Sequence, residues 1–531
     1  MIYINFFYNE EVSCSTDCGR LTGSCIVNGK QLALEQMGTY MLRCIKEEKL
    51  YKMGFDFNGF FSGVYINGDE VVAIVDRIRS YPIFYCSHDN EIYFSDDPTW
   101  IKDQIPSVEW DNKAENEFLL TGYVTGKNTL YHEIKQIQAG ELVYIKRGAI
   151  HNYRYHHIEY KFKNKSIQEW NEEHKEMLFT VFSRMVSTFR YLTFVIPLSG
   201  GYDSRLIALL LKKVGAFKII AFTYGKKDDI EVQLSKRVAE ELSIEWHFIE
   251  YTSQDYNMML ESTEFRDYIR YAARFSSLPH LQDWIAVKKL KEKGIISEDS
   301  MFVPGHLGDV LTGECSDIKS YMYKKTTTIK DGASAIVDYL YTSRLLSNQE
   351  IREYRENVQI EMKSYLGECT NGTILYELWW TRERTSKFIV NSVRIYEFFG
   401  FQWWLPFCDE EFWEFWSNVP NNMKIHQKLY SFTINDLMIE MMGKIIPRDI
   451  ELDSQNNTVK HKIAGKLSNN QKHYIQFIRN KGKTGYIMSS NKMNDYEKAV
   501  FEQTKKFFGK NVIYSGNYLS ALHYIKCLIS R

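Results

Sequence analysis

Residues 194–205 read FVIPLSGGYDSR, an apolar run that ends in a glycine-rich turn and leads into a predicted helix. Such a turn gathers backbone N–H groups and a helix N-terminus around one point, which is an arrangement that binds phosphate. The glycines let the backbone approach an anion closely, and Ser199 and Ser204 add hydroxyl donors. Asp203 would hold Mg²⁺ against the phosphates. The stretch lacks G-K-[ST] and G-x-G-x-x-G, so it differs from the two common nucleotide-binding loops.

The composition is that of a folded protein with more than one domain. The chain has 531 residues, 44% apolar and 25% charged, which is too long for one ordinary core. A net charge of −1 gives no support for nucleic-acid or membrane binding. Nine cysteines without a C-x-x-C pair favour reduced thiols over a zinc site or disulfides. No apolar run is long enough for a membrane span, and the first residues predict a strand rather than a signal peptide, so we expect a cytoplasmic protein.

Residues 1–155 are predicted to be mainly β-structure, because short apolar or alternating runs are separated by turn signals. The predicted strands cover residues 2–8, 63–67, 71–76, 83–86 and 92–95, with a hairpin of 140–146 and 149–155. Helices are expected over about 32–49 and 111–120. The lysine-rich residues 156–166 are the predicted linker to a second domain, 167–531.

From residue 167 onward, predicted helices and strands alternate. The helices cover 167–191, 205–214 and 230–242, and the strands cover 194–198, 218–224 and 246–250. This alternation predicts a doubly wound parallel α/β sheet, in which ligands bind beyond the carboxyl ends of the strands. Helical periodicity dominates after about residue 315.

Two further segments could complete a nucleotide site. Thr223 lies near the end of the predicted strand 218–224, where the backbone could cover the adenine of a nucleotide. The alternative is an ordinary strand end that is followed by a helix cap. Residues 302–313 read FVPGHLGDVLTG, another strand that ends in a glycine-rich loop, although an ordinary turn is the alternative here too. If the strands are neighbours, Asp203 and Asp309 would share the Mg²⁺ of an ATP pyrophosphate.

These segments resemble the asparagine synthetase family over most of the chain. The first loop is similar to the S-G-G-x-D-S loop of enzymes that split ATP into AMP and pyrophosphate, and PGHLGDV at 304–310 is similar to the family's S-G-E-G-x-D-E. Other partial matches follow in the family order: NGFFSGVY at 58–65, DRIRSYPIFY at 76–85, LPFCDE at 405–410 and VPNNMK at 419–424. The resemblance implies an N-terminal Ntn-like α/β/β/α sandwich of the glutamine amidotransferase type, followed by a PP-loop ATP pyrophosphatase domain with a helical C-terminal part.

The resemblance also implies ATP-dependent amide formation, in which a carboxylate is adenylated and ammonia or an amine then displaces AMP. The implied cofactors are ATP and Mg²⁺, the partners are a small-molecule or peptide carboxylate and an amine, and a homodimer is compatible with the family. The implied metal ligands are Asp203 and Asp309. The implied ATP and pyrophosphate-binding residues are Ser199, Gly200, Gly201, Asp203, Ser204, Thr223 and Gly305.

The chain departs from the family at the glutaminase nucleophile. Glutamine-hydrolysing members expose an N-terminal cysteine, whose own amine assists attack on the glutamine amide. Here Met1 precedes Ile2, and the first cysteine is Cys14. We therefore expect residues 1–155 to lack glutaminase activity, so that the nitrogen comes from free ammonia or an amine. A cleaved propeptide that exposes Cys14 or Cys18 is the alternative.

Two catalytic assignments rest on the resemblance. His306 stands where the family has a loop glutamate, or a tyrosine in the β-lactam-forming relatives. A neutral histidine can act as a general base there, or it only forms hydrogen bonds. Val310 replaces the last acid of that loop. Lys428 is the first candidate for the cation that stabilises the adenylated carbonyl and Lys424 the second, with a solvated surface lysine as the alternative for each.

Other features leave the substrate open. The aromatic residues between 403 and 416 predict helical core, and Arg382, Arg384 and Arg394 could meet substrate or lie on an amphipathic helix face. Relatives without the cysteine close β-lactam rings, cyclise lasso peptides or amidate sugar acids of surface polysaccharides, and the Gly-His-x-Gly-Asp loop is most similar to the last group. The competing functions are a different AMP-forming PP-loop enzyme that modifies tRNA, and a catalytically silent scaffold.

Overall fold

The computed structural model describes residues 1–8, 13–27, 30–313, 328–344, 346–367, 369–448, 485–487, 494–504 and 513–529. Within these ranges the chain forms a β-rich N-terminal part and a larger α/β part. Residues 155–166 form neither helix nor strand and connect the two parts. None of the helices in the described ranges combines the length and the apolar composition that a membrane crossing requires.

The N-terminal part is a four-layer α/β/β/α sandwich. One sheet has the strand order Ile2–Asn5, Glu91–Ser95, Phe84–His88 and Lys135–Gln136. The other has the order Ala149–Arg154, Glu141–Lys146, Glu70–Val75, Asn58–Asn67, Gly19–Val27 and Ser13–Thr16, with Lys30–Gln31 paired to Gly19–Val27. The fold class predicted for this part is confirmed.

Apolar side chains bury both faces of each sheet. The layer between the sheets contains Val64, Ala73 and Phe94. The helix Leu34–Lys46 packs on the outer face of the larger sheet, and the helix Pro98–Gln104 packs on the outer face of the smaller one. The remaining helices of this part are Tyr51–Asp56 and Asn112–Thr121.

The second part contains a five-stranded, fully parallel sheet. Its spatial order is Glu245–Glu250, Lys218–Gly225, Thr193–Pro197, Ser300–Phe302 and Gln402–Trp403. The strand order along the chain therefore reverses between Thr193–Pro197 and Ser300–Phe302, which pair through Val195 and Phe302. The predicted doubly wound sheet is confirmed, and this reversal is where such sheets bind their ligands.

Helices cover the parallel sheet and form most of the rest of the described residues in the second part. They are Ile167–Thr188, Tyr202–Lys213, Ile230–Glu241, Ser253–Glu261, Thr263–Ala273, Trp284–Glu292, Gly308–Thr312, Ile329–Leu340, Asn348–Leu366, Gly372–Trp379, Arg394–Phe398, Glu410–Asn418, Asn421–Lys424, Lys428–Met442, Asn494–Thr504 and Gly516–Ile529. Three short 3₁₀ turns are Val390–Val393, Pro406–Cys408 and Ile425–Gln427, and Trp380–Ile389 is a π-helix. Two short strands, Gly485–Ile487 and Ile513–Ser515, pair with each other.

The helix after the phosphate-type loop begins earlier than predicted, at Tyr202 instead of residue 205. Asp203 and Ser204 therefore belong to its first turn. Short polar side chains are favoured at this end of a helix because they complement the unpaired N–H groups and the positive end of the helix dipole. As a result, both side chains lie at the helix N-terminus, where an anion would bind.

Candidate active site

The turn that follows Thr193–Pro197 is held together by its own side chains. The Ser199 N–H donates to Ser204 Oγ over 2.9 Å, and the Gly201 N–H donates to Ser199 Oγ over 3.1 Å. The fully buried guanidinium of Arg205 donates to the Gly200 carbonyl over 2.7 Å. Hydrogen bonds from its own residues therefore fix the conformation of the turn without a ligand. The turn brings the predicted phosphate-loop residues together.

Asp203 lies directly against the second glycine-rich loop. A Cβ built on Gly305 would come within 2.6 Å of the Asp203 Cβ, and one built on Gly308 within 2.6 Å of Asp203 Oδ1. Asp309 follows Gly308 in the first turn of Gly308–Thr312. Only glycine allows this close approach, so the structure joins the two acid-bearing loops at the reversal point of the sheet.

A third element reaches the same carboxylate. The Tyr430 hydroxyl, on the helix Lys428–Met442, donates to Asp203 Oδ1 over 2.6 Å. Tyr430 was not predicted, because a single tyrosine in a helix has no pattern that marks it. Its contact places the start of that helix, with Lys428, beside the phosphate-type loop.

The chemistry of this donor set fits Mg²⁺ that arrives with a nucleotide. The described residues contain no cluster of three or more His, Cys, Asp or Glu side chains that could hold a metal ion by themselves. Mg²⁺ bound to nucleotides usually has one or two protein carboxylates and takes its other ligands from phosphates and water. Asp203 and Asp309 would supply these carboxylates.

Thr223 lies beneath the loop. It is buried, and its hydroxyl lies 2.7 Å from both the Leu198 carbonyl and Ser235 Oγ. Trp246 Nε1 also donates to this hydroxyl over 3.1 Å. The side chain of Thr223 therefore links the ends of neighbouring strands under the loop through hydrogen bonds. Because the hydroxyl is used in this way, a contact between Thr223 and a nucleotide would involve the backbone of Thr223.

His306 is partly buried in the second loop, and its Nε2 shares a hydrogen bond with Ser392 Oγ. Burial lowers the pKa of His306 to about 4, the charge of His280 acts in the same direction, and Asp283 opposes them. The ring is consequently neutral at pH 7, which is the state in which a histidine can accept a proton. Ser392 has no sequence signal and was not predicted.

One buried carboxylate, Asp283, lies near His306. His280 Nε2 lies 3.5 Å from Asp283 Oδ1, and the Tyr396 hydroxyl donates to Asp283 Oδ2 over 2.9 Å. Burial opposes ionisation of Asp283, but hydrogen bonds from His280, Tyr224 and Tyr396 and the charge of His280 lower its pKa to about 2. Asp283 is therefore ionised in the folded protein at neutral pH.

The lowered pKa of Asp283 predicts how its contribution to stability depends on pH. A carboxyl whose folded pKa lies below its unfolded value of 3.8 stabilises the protein above that value and loses its effect as the pH falls toward about 2. Asp283→Asn should lower the free energy of unfolding by about 2 kcal/mol at pH 7. Thermal unfolding of both proteins between pH 7 and pH 3 tests this. The difference should be constant above pH 5 and shrink below pH 4; a constant difference throughout contradicts it.

The two candidate lysines have different environments. Lys424 is completely buried, and its Nζ lies 3.0 Å from both carboxylate oxygens of Glu377. Lys428 is exposed at the start of Lys428–Met442. Lys424 is thus part of an internal ion pair, whereas the exposed Lys428 could approach a ligand at the loop.

Of the three arginines singled out in the sequence, Arg382 and Arg394 contact the N-terminal part of the chain. Arg382 pairs with Glu141, and Arg394 donates to the Ser80 carbonyl, both in buried positions. The guanidinium of Arg384 lies over aromatic rings of its own π-helix. The expectation that these arginines meet substrate therefore gives way to a structural role.

Comparison with known proteins finds a family model that matches a segment in each part of the chain. A family model described as a glutamine amidotransferase domain matches residues 45–156, and one described as asparagine synthase matches residues 178–293. No curated protein matches the chain significantly.

Several solved structures are similar to the chain at low identity. An NH3-dependent NAD synthetase from Campylobacter jejuni is 17% identical, with 28% of this chain and 61% of that chain covered and a TM-score of 0.20. NMN synthetase from Francisella tularensis is 16% identical, covering 50% and 97% with a TM-score of 0.20. Glutamine phosphoribosylpyrophosphate amidotransferase from B. subtilis is 8% identical, covering 44% and 71% with a TM-score of 0.19. The chain thus spans about three fifths of the first of these structures.

The two family models occur in the order that the motifs implied, amidotransferase type first and synthase second. The fold agrees with this order, because a four-layer sandwich precedes a doubly wound parallel sheet with a glycine-rich loop at its reversal point. The two family models, over residues 45–156 and 178–293, therefore support an asparagine synthetase family member.

Proposed function

We propose that the protein is an AMP-forming amide ligase that takes its nitrogen from ammonia or an amine rather than from glutamine. The observation that carries the proposal is the contact of Asp203 with Gly305 and Gly308, which brings two carboxylate-bearing loops to the reversal point of the sheet. That arrangement suits a Mg-pyrophosphate group better than a lone phosphate, since each loop contributes one acid.

In the proposed reaction, an oxygen of the substrate carboxylate attacks the α-phosphorus of ATP, and the bond to the pyrophosphate oxygen breaks. Ser199, Gly200, Gly201 and Ser204 hold the pyrophosphate, and Mg²⁺ on Asp203 and Asp309 would neutralise its charge. The nitrogen nucleophile then attacks the acyl carbon, His306 takes a proton from that nitrogen, and AMP leaves. Lys428 would stabilise the negative charge that develops on the acyl oxygen.

The N-terminal part supports a nitrogen source other than glutamine. The strand Ile2–Asn5 contains no cysteine and pairs in parallel with Glu91–Ser95. Cys14 lies in the strand Ser13–Thr16, and cleavage before it would remove the paired strand Ile2–Asn5 from its sheet. Exposure of Cys14 by processing would therefore cost the sandwich the strand Ile2–Asn5, and exposure of Cys18 would also remove Ser13–Thr16.

The proposed substrates are a small-molecule or peptide carboxylate, with a sugar acid as the first class to test. The proposed compartment is the cytoplasm, because every cysteine whose side chain the structure describes is a free thiol. A tRNA-modifying PP-loop enzyme is disfavoured by the net charge of −1, since nucleic-acid binding is usually accompanied by excess positive charge.

The test is an assay of pyrophosphate release in the presence of Mg-ATP, ammonium and a panel of sugar acids, amino acids and peptide carboxylates. The proposal expects release that depends on one class of carboxylate and yields AMP in equal amount. Omission of the carboxylate and addition of EDTA serve as controls. Binding of neither ATP nor any carboxylate, without pyrophosphate release, would instead favour the silent scaffold.

A further inference from the structure

The partner of His306 belongs to a segment that is anchored on the amidotransferase-type domain. This segment, Trp380–Phe398, consists of the π-helix Trp380–Ile389, the turn Val390–Val393 and the helix Arg394–Phe398. Ser392, in the middle of the turn, is buried and contacts Nε2 of His306. The contacts on each side of Ser392 therefore decide where the histidine ring is held.

The anchor before Ser392 is a buried ion pair. Lys387 Nζ donates to the carbonyls of Val124 and Gly126 over 3.0 and 2.8 Å, and it pairs with Glu383. Glu383 in turn accepts a hydrogen bond of 3.0 Å from the Gly126 N–H. Two charged side chains of the π-helix thus form hydrogen bonds with backbone groups of the other domain.

The anchor after Ser392 is Arg394, whose guanidinium donates to the Tyr8 hydroxyl and the Ser80 carbonyl. Arg274 donates to the same Tyr8 hydroxyl over 2.7 Å. Tyr8 follows the first strand of the chain, so the segment that carries Ser392 is tied to the N-terminal strand itself.

A second path links the same two places. The Asn391 side-chain amide donates to the carbonyls of Ala272 and Leu278 over 2.9 and 3.3 Å. The Leu278 N–H donates to the Gly122 carbonyl over 2.6 Å in the amidotransferase-type domain. The residue beside Ser392 is therefore also fixed through a loop that pairs with that domain.

We propose that the amidotransferase-type domain, although it lacks the glutaminase nucleophile, positions His306 through Ser392. Ser392 is a positioning residue: it accepts a hydrogen bond from Nε2–H of His306 and so leaves the lone pair of Nδ1 available to the nitrogen nucleophile. This inference rests on the proposed role of His306 as the base. It gives the domain a function that does not depend on glutamine.

Three serine variants test the contact. Ser392→Ala removes the hydroxyl, Ser392→Thr keeps it, and Ser386→Ala is the matched control, because Ser386 is buried in the same segment and its hydroxyl bonds to the Arg382 carbonyl. The first readout needs no substrate: ¹⁵N shifts of labelled histidine, with His306 identified from His306→Gln. Wild type, Ser392→Thr and Ser386→Ala should show His306 as one Nε2–H tautomer, and Ser392→Ala a mixture.

The second readout separates base catalysis from adenylation. Hydroxylamine is largely unprotonated at neutral pH, so it attacks without prior loss of a proton and its adduct can lose a proton to water, whereas ammonium must give up a proton before it can attack. Ser392→Ala should therefore form hydroxamate at close to the normal rate, while its use of ammonium falls about ten- to a hundredfold. An unchanged tautomer in Ser392→Ala, or an equal loss with both nucleophiles, overturns the positioning role. Failure of every carboxylate in the pyrophosphate assay would overturn the proposed function alone, since the tautomer measurement is independent of it.

The contribution of the domain is tested with Tyr8→Phe, which removes the hydroxyl shared by Arg274 and Arg394 and keeps the ring. The proposal expects a mixed His306 tautomer in this variant and a selective loss with ammonium. A tautomer identical to wild type in Tyr8→Phe would show that the domain does not position His306.

Discussion

Asp203→Asn and Gly308→Ala are both expected to lower pyrophosphate release at least about a hundredfold. The first removes a negative charge from the metal ligand, and the second places a Cβ 2.6 Å from Asp203 Oδ1 and displaces the same carboxylate. Gly308 does not have a positive φ, so alanine strains the site by contact rather than through its backbone. Steady-state pyrophosphate release with the carboxylate that supports turnover measures both variants.

Tyr430→Phe is the control for this prediction. It removes the hydrogen bond to Asp203 Oδ1 but leaves the carboxylate and the glycines in place. Its effect should be smaller than that of either variant, with thermal stability close to wild type in all three. Near-normal pyrophosphate release in Gly308→Ala would mean that Asp203 does not act at the pyrophosphate.

Lys424→Met is expected to destabilise the fold by about 3–5 kcal/mol, because it leaves Glu377 charged in a fully buried position. The backbone carbonyl of Lys424 also packs against Gly313, so closely that a Cβ at Gly313 would collide with it. The backbone at Lys424 therefore supports the end of the second loop. Thermal unfolding should show a large loss for Lys424→Met. The double variant Lys424→Met/Glu377→Leu should recover much of it, since a hydrophobic pair replaces the ions.

Lys428→Met serves as the matched control for Lys424→Met. Lys428 is exposed, so its replacement should leave the melting temperature within about one degree of wild type, as expected of surface substitutions. Equal loss of stability in both lysine variants, or no recovery in the double variant, would show that the buried ion pair is not what Lys424 contributes.

Elements with a strong periodic signal could be predicted from the sequence. The strand before Ser199 and its neighbour ending near Gly225 are apolar runs, and the structure places them within one residue of their predicted ends. Of the aromatic residues predicted as helical core, Phe412, Trp413 and Trp416 are buried in the helix Glu410–Asn418. Trp403 is buried but lies on a strand, and Trp404 and Phe415 are only partly buried. The strand Gly19–Val27 was missed because its glycines and polar residues interrupt the alternation, although it is paired along both edges within the larger sheet.

The site could be predicted only where its residues share a local motif. Both glycine-rich loops were found in this way, whereas Tyr430, Ser392 and Asp283 were not, because tertiary contacts alone give them their roles. The interface was missed for the same reason. Arg77, from the matched DRIRSYPIFY stretch, pairs with Glu410 of the matched LPFCDE stretch over 2.7 Å.

Because of the π-helix Trp380–Ile389, the positions of Ser392 and Arg394 depend on the number of residues in this segment as well as on their identity. A π-helix holds an extra residue per turn compared with an α-helix. Deletion of one residue within it would remove the residue that the wider turn accommodates and change the backbone path between Lys387 and Ser392. Ser392 and Arg394 would then lose His306 and Tyr8 together, with no substitution at any of these positions. Insertions and deletions in this segment should therefore be tolerated far less well than point substitutions on its exposed side.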